Sequence, residues 1–213
     1  MNDIKLIIFD INDTLITTHS WEDFNVALGM TPEEDLILWQ LNEQGILSNR
    51  HWVEIVNNLY QKRGTPTKKL ITDTLLQYEY VEHAKDLVAK LKQKYEVALI
   101  SGAPDLLVEH IAQELDIDMF GSNALLRFDA NDVLEEMVVL SNEPLSKVIY
   151  LQAFCRRLGI DESQVVAVSD GSNDIELFKR TGHGITFEDS KIKDHAWKAV
   201  KSLKDIEALF SQA

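Results

Sequence analysis

The sequence predicts an α/β protein: a Rossmann-like, doubly wound parallel sheet with an α-helical module inserted after its first strand. Three observations carry this reading. Short aliphatic runs recur at Leu6–Phe9, at 97–100 and at Val165–Val168, and unbroken apolar runs of that length suit strands covered on both faces. From Val81 onward such runs alternate with amphipathic helical patterns, as in a parallel sheet wrapped by helices. The stretch 17–80, by contrast, reads as helix after helix with no convincing strand.

In chain order, the first run ends at Asp10, and Asn12, Asp13 and Thr14 form a polar turn before Leu15 and Ile16. A short helix over 21–28 stops at Gly29. Thr31-Pro32-Glu33-Glu34 supplies an N-cap, a proline at the first position and acids in the first turn, which opens a helix running through Trp39 to Gly45. Ser48 or Asn49 caps the next, where Trp52, Ile55, Val56 and Leu59 recur at helical spacing and Lys62 and Arg63 precede Gly64. Thr65-Pro66-Thr67 starts a fourth helix through Leu70, Leu75 and Leu76. The Trp and Tyr residues of this module are assigned to its core.

Beyond Val81, an amphipathic helix is expected over 83–94, a strand over 97–100 ending at Ser101-Gly102, and a helix over 105–115. Two strands, 120–128 and 133–140, face each other across Asp129-Ala130-Asn131-Asp132 as a hairpin. A helix over 144–158 contains Lys147 and ends at Gly159. The third buried run ends at Ser169-Asp170, followed by a helix over 175–179, a short strand over Gly184–Phe187 and a closing helix over 206–210.

Composition narrows the function. A chain of 213 residues with 45% hydrophobic and 26% charged residues is long enough for one large domain, or a core with an inserted subdomain. The formal net charge of -14 argues against nucleic acid or an anionic membrane as partner. An anionic substrate therefore needs a local positive device: a metal, a lysine or helix N-termini. Cys155 is the only cysteine, so no intrachain disulfide forms, which suits a reducing cytosol. With no signal peptide and no apolar run of the ~20 residues that span a bilayer, the expectation is a soluble, cytoplasmic monomer or homodimer.

In a parallel sheet the ends of the three buried strands share one edge, the edge where ligands bind in open α/β sheets. Asp10, Ser101 and Asp170 stand there, and Lys147 and Asp174 lie within reach. Asp10, Asp170 and Asp174 offer hard oxygens suited to Mg²⁺. Ser101 and the amide of Gly102 offer an anion cradle, and Lys147 a point charge for a phosphate or for the carboxylate beside it.

These residues stand in the order of four motifs, FDINDTL, LISG, Lys147 and VSDGSND. The chain resembles the haloacid dehalogenase (HAD) superfamily of phosphatases, in particular its phosphoserine phosphatase-like group with a helical C1 cap. The resemblance implies a HAD core over 1–16 and 81–213 and a cap over 17–80. It implies a Mg²⁺-dependent hydrolase of small phosphorylated metabolites in which Asp10 becomes an aspartyl phosphate. Ser101, Gly102, Lys147 and Asn173 are then the phosphate binders. Asp10, Asp170 and the carbonyl of Asn12 are the metal ligands, and Asp174 orients metal-bound water or Lys147.

The chain departs from the family at Asn12, where an Asp ordinarily protonates the leaving oxygen and later deprotonates water. General acid-base help is worth about 10²–10⁴-fold, so turnover is expected to be reduced. An engineered replacement, a drift to a slow enzyme or binding protein, and a different reaction on the same scaffold all remain open. Asp13 is expected to point away from Asn12 and so not to replace the missing acid. Phosphoserine phosphatases place a Glu about nine residues past the nucleophile for the substrate ammonium; His19 stands there, with Glu22 displaced nearby. Arg50 and Arg63 are candidates for a substrate carboxylate, though solvated positions suit both better. A phospho-accepting receiver domain uses a similar residue set, but lacks both the helical insertion and the D-x-x-x-D spacing. A non-catalytic phosphate-binding module is the other alternative.

Overall fold

The structure, a computed structural model, describes residues 3–18 and 20–211; His19 therefore lies outside the described residues. Seven strands form one sheet in the order β4-β3-β2-β1-β5-β6-β7: β1 (Leu6–Phe9), β2 (Glu96–Pro104), β3 (Met119–Phe128), β4 (Leu134–Val139), β5 (Val165–Val168), β6 (Gly184–Phe187) and β7 (Lys198–Val200). Every pairing is parallel except β3 with β4. The aliphatic run of β1 sits at the centre because it is covered twice. Ile7 and Phe9 enter one core, with α5 (Ala84–Leu91), α6 (Asp105–Glu114) and α9 (Leu203–Ser211). Leu6 and Ile8 enter the other, with α7 (Glu143–Leu158) and α8 (Ile175–Thr181). All four β1 side chains are buried, as strict two-sided coverage requires.

Between β1 and α5 stand α1 (Ser20–Ala27), α2 (Pro32–Glu43), α3 (Asn49–Arg63) and α4 (Lys68–Leu75). Their starts follow the sequence signals. Thr31 makes a full capping box with Glu34, and the Ser48 and Thr67 side chains accept from His51 N and Leu70 N. Phe24, Val56, Tyr60 and Ile71 join the same core as Phe9 and Leu99. The two crossings into this module run side by side. Ile16 bridges Tyr80 in antiparallel sense, Thr17 N donates to Glu79 O at 3.0 Å and Val81 N to Leu15 O at 2.9 Å.

Several elements differ from expectation. The second strand continues to Pro104, so Ser101 and Gly102 lie within β2, and its register with β3 shifts between Ser101 and Pro104. Gly64 closes α3 in extended rather than left-handed backbone, φ -161°, because the chain runs straight on to Thr67, which bridges Val133. The helix expected from 83 begins at Ala84, after His83 in the left-handed region, and the closing helix starts earlier, at Leu203. Strand β7 carried no sequence signal: it is three residues long and two of them are exposed.

Candidate active site

Register brings the chemistry to one edge. Phe9 pairs with Leu99 on one side and Val168 on the other, so Asp10 follows at the level of Ile100 and Ser169, with Ser101 and Asp170 one residue further along the same edge. Asp10 N still extends the ladder to Val168 O at 3.0 Å. The chain then folds tightly, with the amides of Thr14, Leu15 and Ile16 all donating to Ile11 O. Asp13 takes a left-handed φ of 52°, a conformation that Asp tolerates better than most residues. Asn12 and Asp13 both line the cavity above this edge. Thr14 is buried and donates from its hydroxyl to Asp170 Oδ1 at 3.3 Å.

Lys147 is fully buried on α7, whose start is fixed by the Asn142 cap and Pro144. Its Nζ donates to Asp10 Oδ2 at 2.9 Å and to Asp174 Oδ2 at 2.7 Å. Burial opposes the charge, but the carboxylates of Asp10, Asp174 and Glu143 outweigh it and hold the ammonium above its ordinary range. Asp174 is itself buried, and its Oδ2 also accepts from Ser169 Oγ. Burial, with Asp10 adding, raises its pKa against the pull of Lys147. Asp174 does not line the cavity. Its observed partner is Lys147, which places it behind the lysine rather than among the groups open to a cation.

Asp10 has one oxygen held by Lys147 and the other by Ile11 N at 2.7 Å. Asp170 is pushed up to about 6, first by burial and then by the carboxylates of Asp10 and Asp13. An excess of negative charge is thus gathered where the strands end. Ser101 is buried and its Oγ accepts from Ala103 N at 3.2 Å.

Glu143 is the site residue the sequence reading missed. A Cβ at position 102 would come within 1.8 Å of Glu143 Oε1, so only glycine lets that carboxyl lie across the strand. Asn173 Nδ2 donates to Glu143 Oε1 at 2.5 Å. Burial pushes the Glu143 carboxyl up, with Lys147 opposing and Asp10 reinforcing. A signal existed: Glu143 and Lys147 are four residues apart on α7 and share a face. Asn12 Nδ2 donates to Ser20 Oγ at 3.0 Å, while Asn12 Oδ1 and Asn173 Oδ1 are buried without a partner.

The cavity over this edge holds about 710 Å³. Its far side comes from α1 to α3, including Trp21, Trp39 and Trp52. The assignment of the aromatic residues to core holds for fully buried Tyr60 and in part for Trp21 and Trp52, which pack half-buried against the core while lining the cavity, but not for Trp39, which is 52% exposed. Periodicity locates a face but cannot tell a core from a cavity wall. Neither Arg50 nor Arg63 lines the cavity: Arg50 pairs with Glu54, and Arg63 holds both oxygens of Glu34.

The profile of the haloacid dehalogenase-like hydrolases matches residues 4–182. A phosphoserine phosphatase from Methanocaldococcus jannaschii is 29% identical over 196 residues, 86% of this chain and 85% of that one. One from Archaeoglobus fulgidus is 25% identical over 190 residues, 88% of this chain, and this chain spans only about half of that protein, 54%. Among solved structures, a substrate-bound phosphoserine phosphatase complex superposes with a TM-score of 0.80 at 24% identity, covering 97% of this chain and 98% of that one. At that identity the likeness speaks for the fold.

Proposed function

From the premise that this chain belongs to the haloacid dehalogenase-like hydrolase family, we propose that it is a slow Mg²⁺-dependent phosphomonoester hydrolase of the phosphoserine phosphatase-like group. The observation that carries the reading is the Asp10–Lys147–Asp174 array at the strand ends, with Asp170 beside it.

The donor set fits a small hard cation. Asp10, Asp170 and the main-chain carbonyl of Asn12 are oxygen donors. Among the described residues no group of three or more His, Cys, Asp or Glu side chains is arranged as a metal cage. Mg²⁺ commonly binds through one or two carboxylates and keeps several waters. The raised pKa of Asp170 marks negative charge that such an ion offsets. When bound, the ion supplies charge stabilisation to the phosphoryl oxygens.

Asp10 is the nucleophile. Lys147 orients it, while Asp174 and Ser169 hold Lys147 in place. An oxygen of Asp10 attacks phosphorus, the bond to the leaving oxygen breaks, and an aspartyl phosphate forms. Ser101 Oγ–H and the Gly102 amide receive phosphoryl oxygens. Asn12 has no proton to give, so the leaving alkoxide takes one from water. A second water then attacks phosphorus, which returns Asp10 as a carboxylate and releases inorganic phosphate. Without a base at position 12 that second step is slow, and the protein works partly as a phosphate-ligand binder.

Residues 17–80 form the cap and 1–16 with 81–213 the core. Closure at the paired crossings 15–18 and 78–81 keeps water from the reactive intermediate. The deciding experiment measures phosphate release from p-nitrophenyl phosphate by the Asn12→Asp form, with Mg²⁺ and with chelator. Mg²⁺-dependent release lost in Asp10→Asn supports the reading; release indifferent to Mg²⁺ or to Asp10 sinks it. Asp170→Asn should weaken Mg²⁺ binding in calorimetry, and unchanged affinity removes Asp170 from the ligand set.

A further inference from the structure

We infer that the leaving group of the substrate carries a cationic amine and no carboxylate, so the ligand class is the phosphomonoester of an amino alcohol. The inference rests on the phosphohydrolase reading only for the phosphate end. The amine end stands on the cavity wall.

That wall is one-sided in charge. Among the described residues lining the cavity there is no lysine, arginine or histidine. The helical module contributes Glu22, Asp35 and Glu43, together with Trp21, Trp39 and Trp52. Trp21 and Trp52 pack edge to face, with centroids 5.5 Å apart at 88°. Tryptophan faces attract ammonium groups, and quaternary ones especially, through the ring quadrupole. Nearby carboxylates act in the same direction and repel an anion. Asn12 Oδ1 and Asn173 Oδ1, buried polar acceptors without a partner, belong to residues at the floor of the same cavity.

Four cations of the helical module are engaged away from the cavity. Arg63 is held by Glu34 and by Gly29 O, and Arg50 by Glu54. Lys69 pairs with Asp73, and Lys68 lies over Phe128. A serine-like leaving group would bring a carboxylate beside Glu22 and Asp35 with no basic partner among the described residues of the wall, and like charges at that range repel. An amino alcohol presents only the charge that the wall favours. Specificity of this kind arises as much from rejecting the wrong ligand as from holding the right one.

Calorimetric titration of the unmodified protein in Mg²⁺ tests this with four probes: phosphocholine, O-phosphoethanolamine, O-phosphoserine and glycerol 3-phosphate. The two amino-alcohol esters should bind at least tenfold more tightly than the other two. Trp39→Leu and Glu22→Gln, both at exposed positions, should each cut that preference by threefold or more. Equal affinities, tighter binding of phosphoserine, or no measurable binding of any probe overturns the inference. Phosphate release from p-nitrophenyl phosphate separates the two claims. If the amine preference in binding persists while no ester is hydrolysed, the hydrolase reading falls and the ligand class stands.

Discussion

Asn12 donates from Nδ2 to Ser20 Oγ at 3.0 Å, tying the turn after β1 to the first residue of α1. An aspartate there keeps the contact, because the Ser20 hydroxyl can turn to donate. Asn12→Asp should therefore leave the fold unchanged and raise turnover by about 10²-fold or more, most on poor leaving groups. The unmodified protein should accumulate acid-stable, hydroxylamine-sensitive label on Asp10 from an activated ester. Equal turnover of both forms on an alkyl phosphate would show that another group carries the proton. Asp13 is the first to test, since it lines the same cavity.

Among the described residues Lys147 is the cation that contacts both Asp10 and Asp174. Removing one partner of a buried pair typically costs about 3–5 kcal/mol. Lys147→Met should lose about 3 kcal/mol in urea unfolding, the low end of that range, because burial already raises the Asp174 pKa and so eases its loss of charge. Adding Asp174→Asn should recover part of the loss. A Lys147→Met protein as stable as the parent would mean that the pair does not hold the site together.

Glu143 places a carboxyl against Gly102, where a phosphoryl oxygen is proposed to bind. Glu143→Gln keeps the hydrogen bond from Asn173 and removes the charge. Inorganic phosphate should then bind several-fold more tightly, because like charges a few ångströms apart repel by kcal/mol even at intermediate dielectric. Unchanged or weaker binding would show that the carboxyl swings clear of the anion or assists it.

The Glu34 carboxyl is held down to about 2, chiefly by the Arg63 guanidinium and next by the Thr31 amide. A lowered folded-state pKa means stability that is present above the unfolded value near 4.5 and lost as pH falls toward 2. Glu34→Gln can keep the cap contact while losing the ion pair. Its Tm should lie below the parent's at pH 6 and converge on it between pH 4.5 and 2. The gap should be small and shrink in salt, since both partners are solvent-exposed. A gap that stays constant down to pH 2 assigns the effect to packing.

Much of this protein was determined locally. The aliphatic run before Asp10, the caps at Thr31, Ser48 and Thr67 and the glycine after α7 depend on neighbours a few residues away, so periodicity and cap chemistry expose them. Once the strands are parallel, Asp10 and Asp170 just beyond β1 and β5 share an edge with Ser101 in the longer β2. Tertiary structure decided the rest, because it depends on where side chains point and what distant chain meets them. It took Lys147 out of a field of surface lysines by burying it against Asp10 and Asp174. It left Asp13, in left-handed backbone, on the cavity lining and laid Glu143 of α7 over a glycine of β2. It made a cavity wall of three tryptophans that share their helical spacing with core residues. Arg63 was drawn to Glu34, a residue 29 positions away. Such pairings are properties of the packed chain, and no local pattern encodes them.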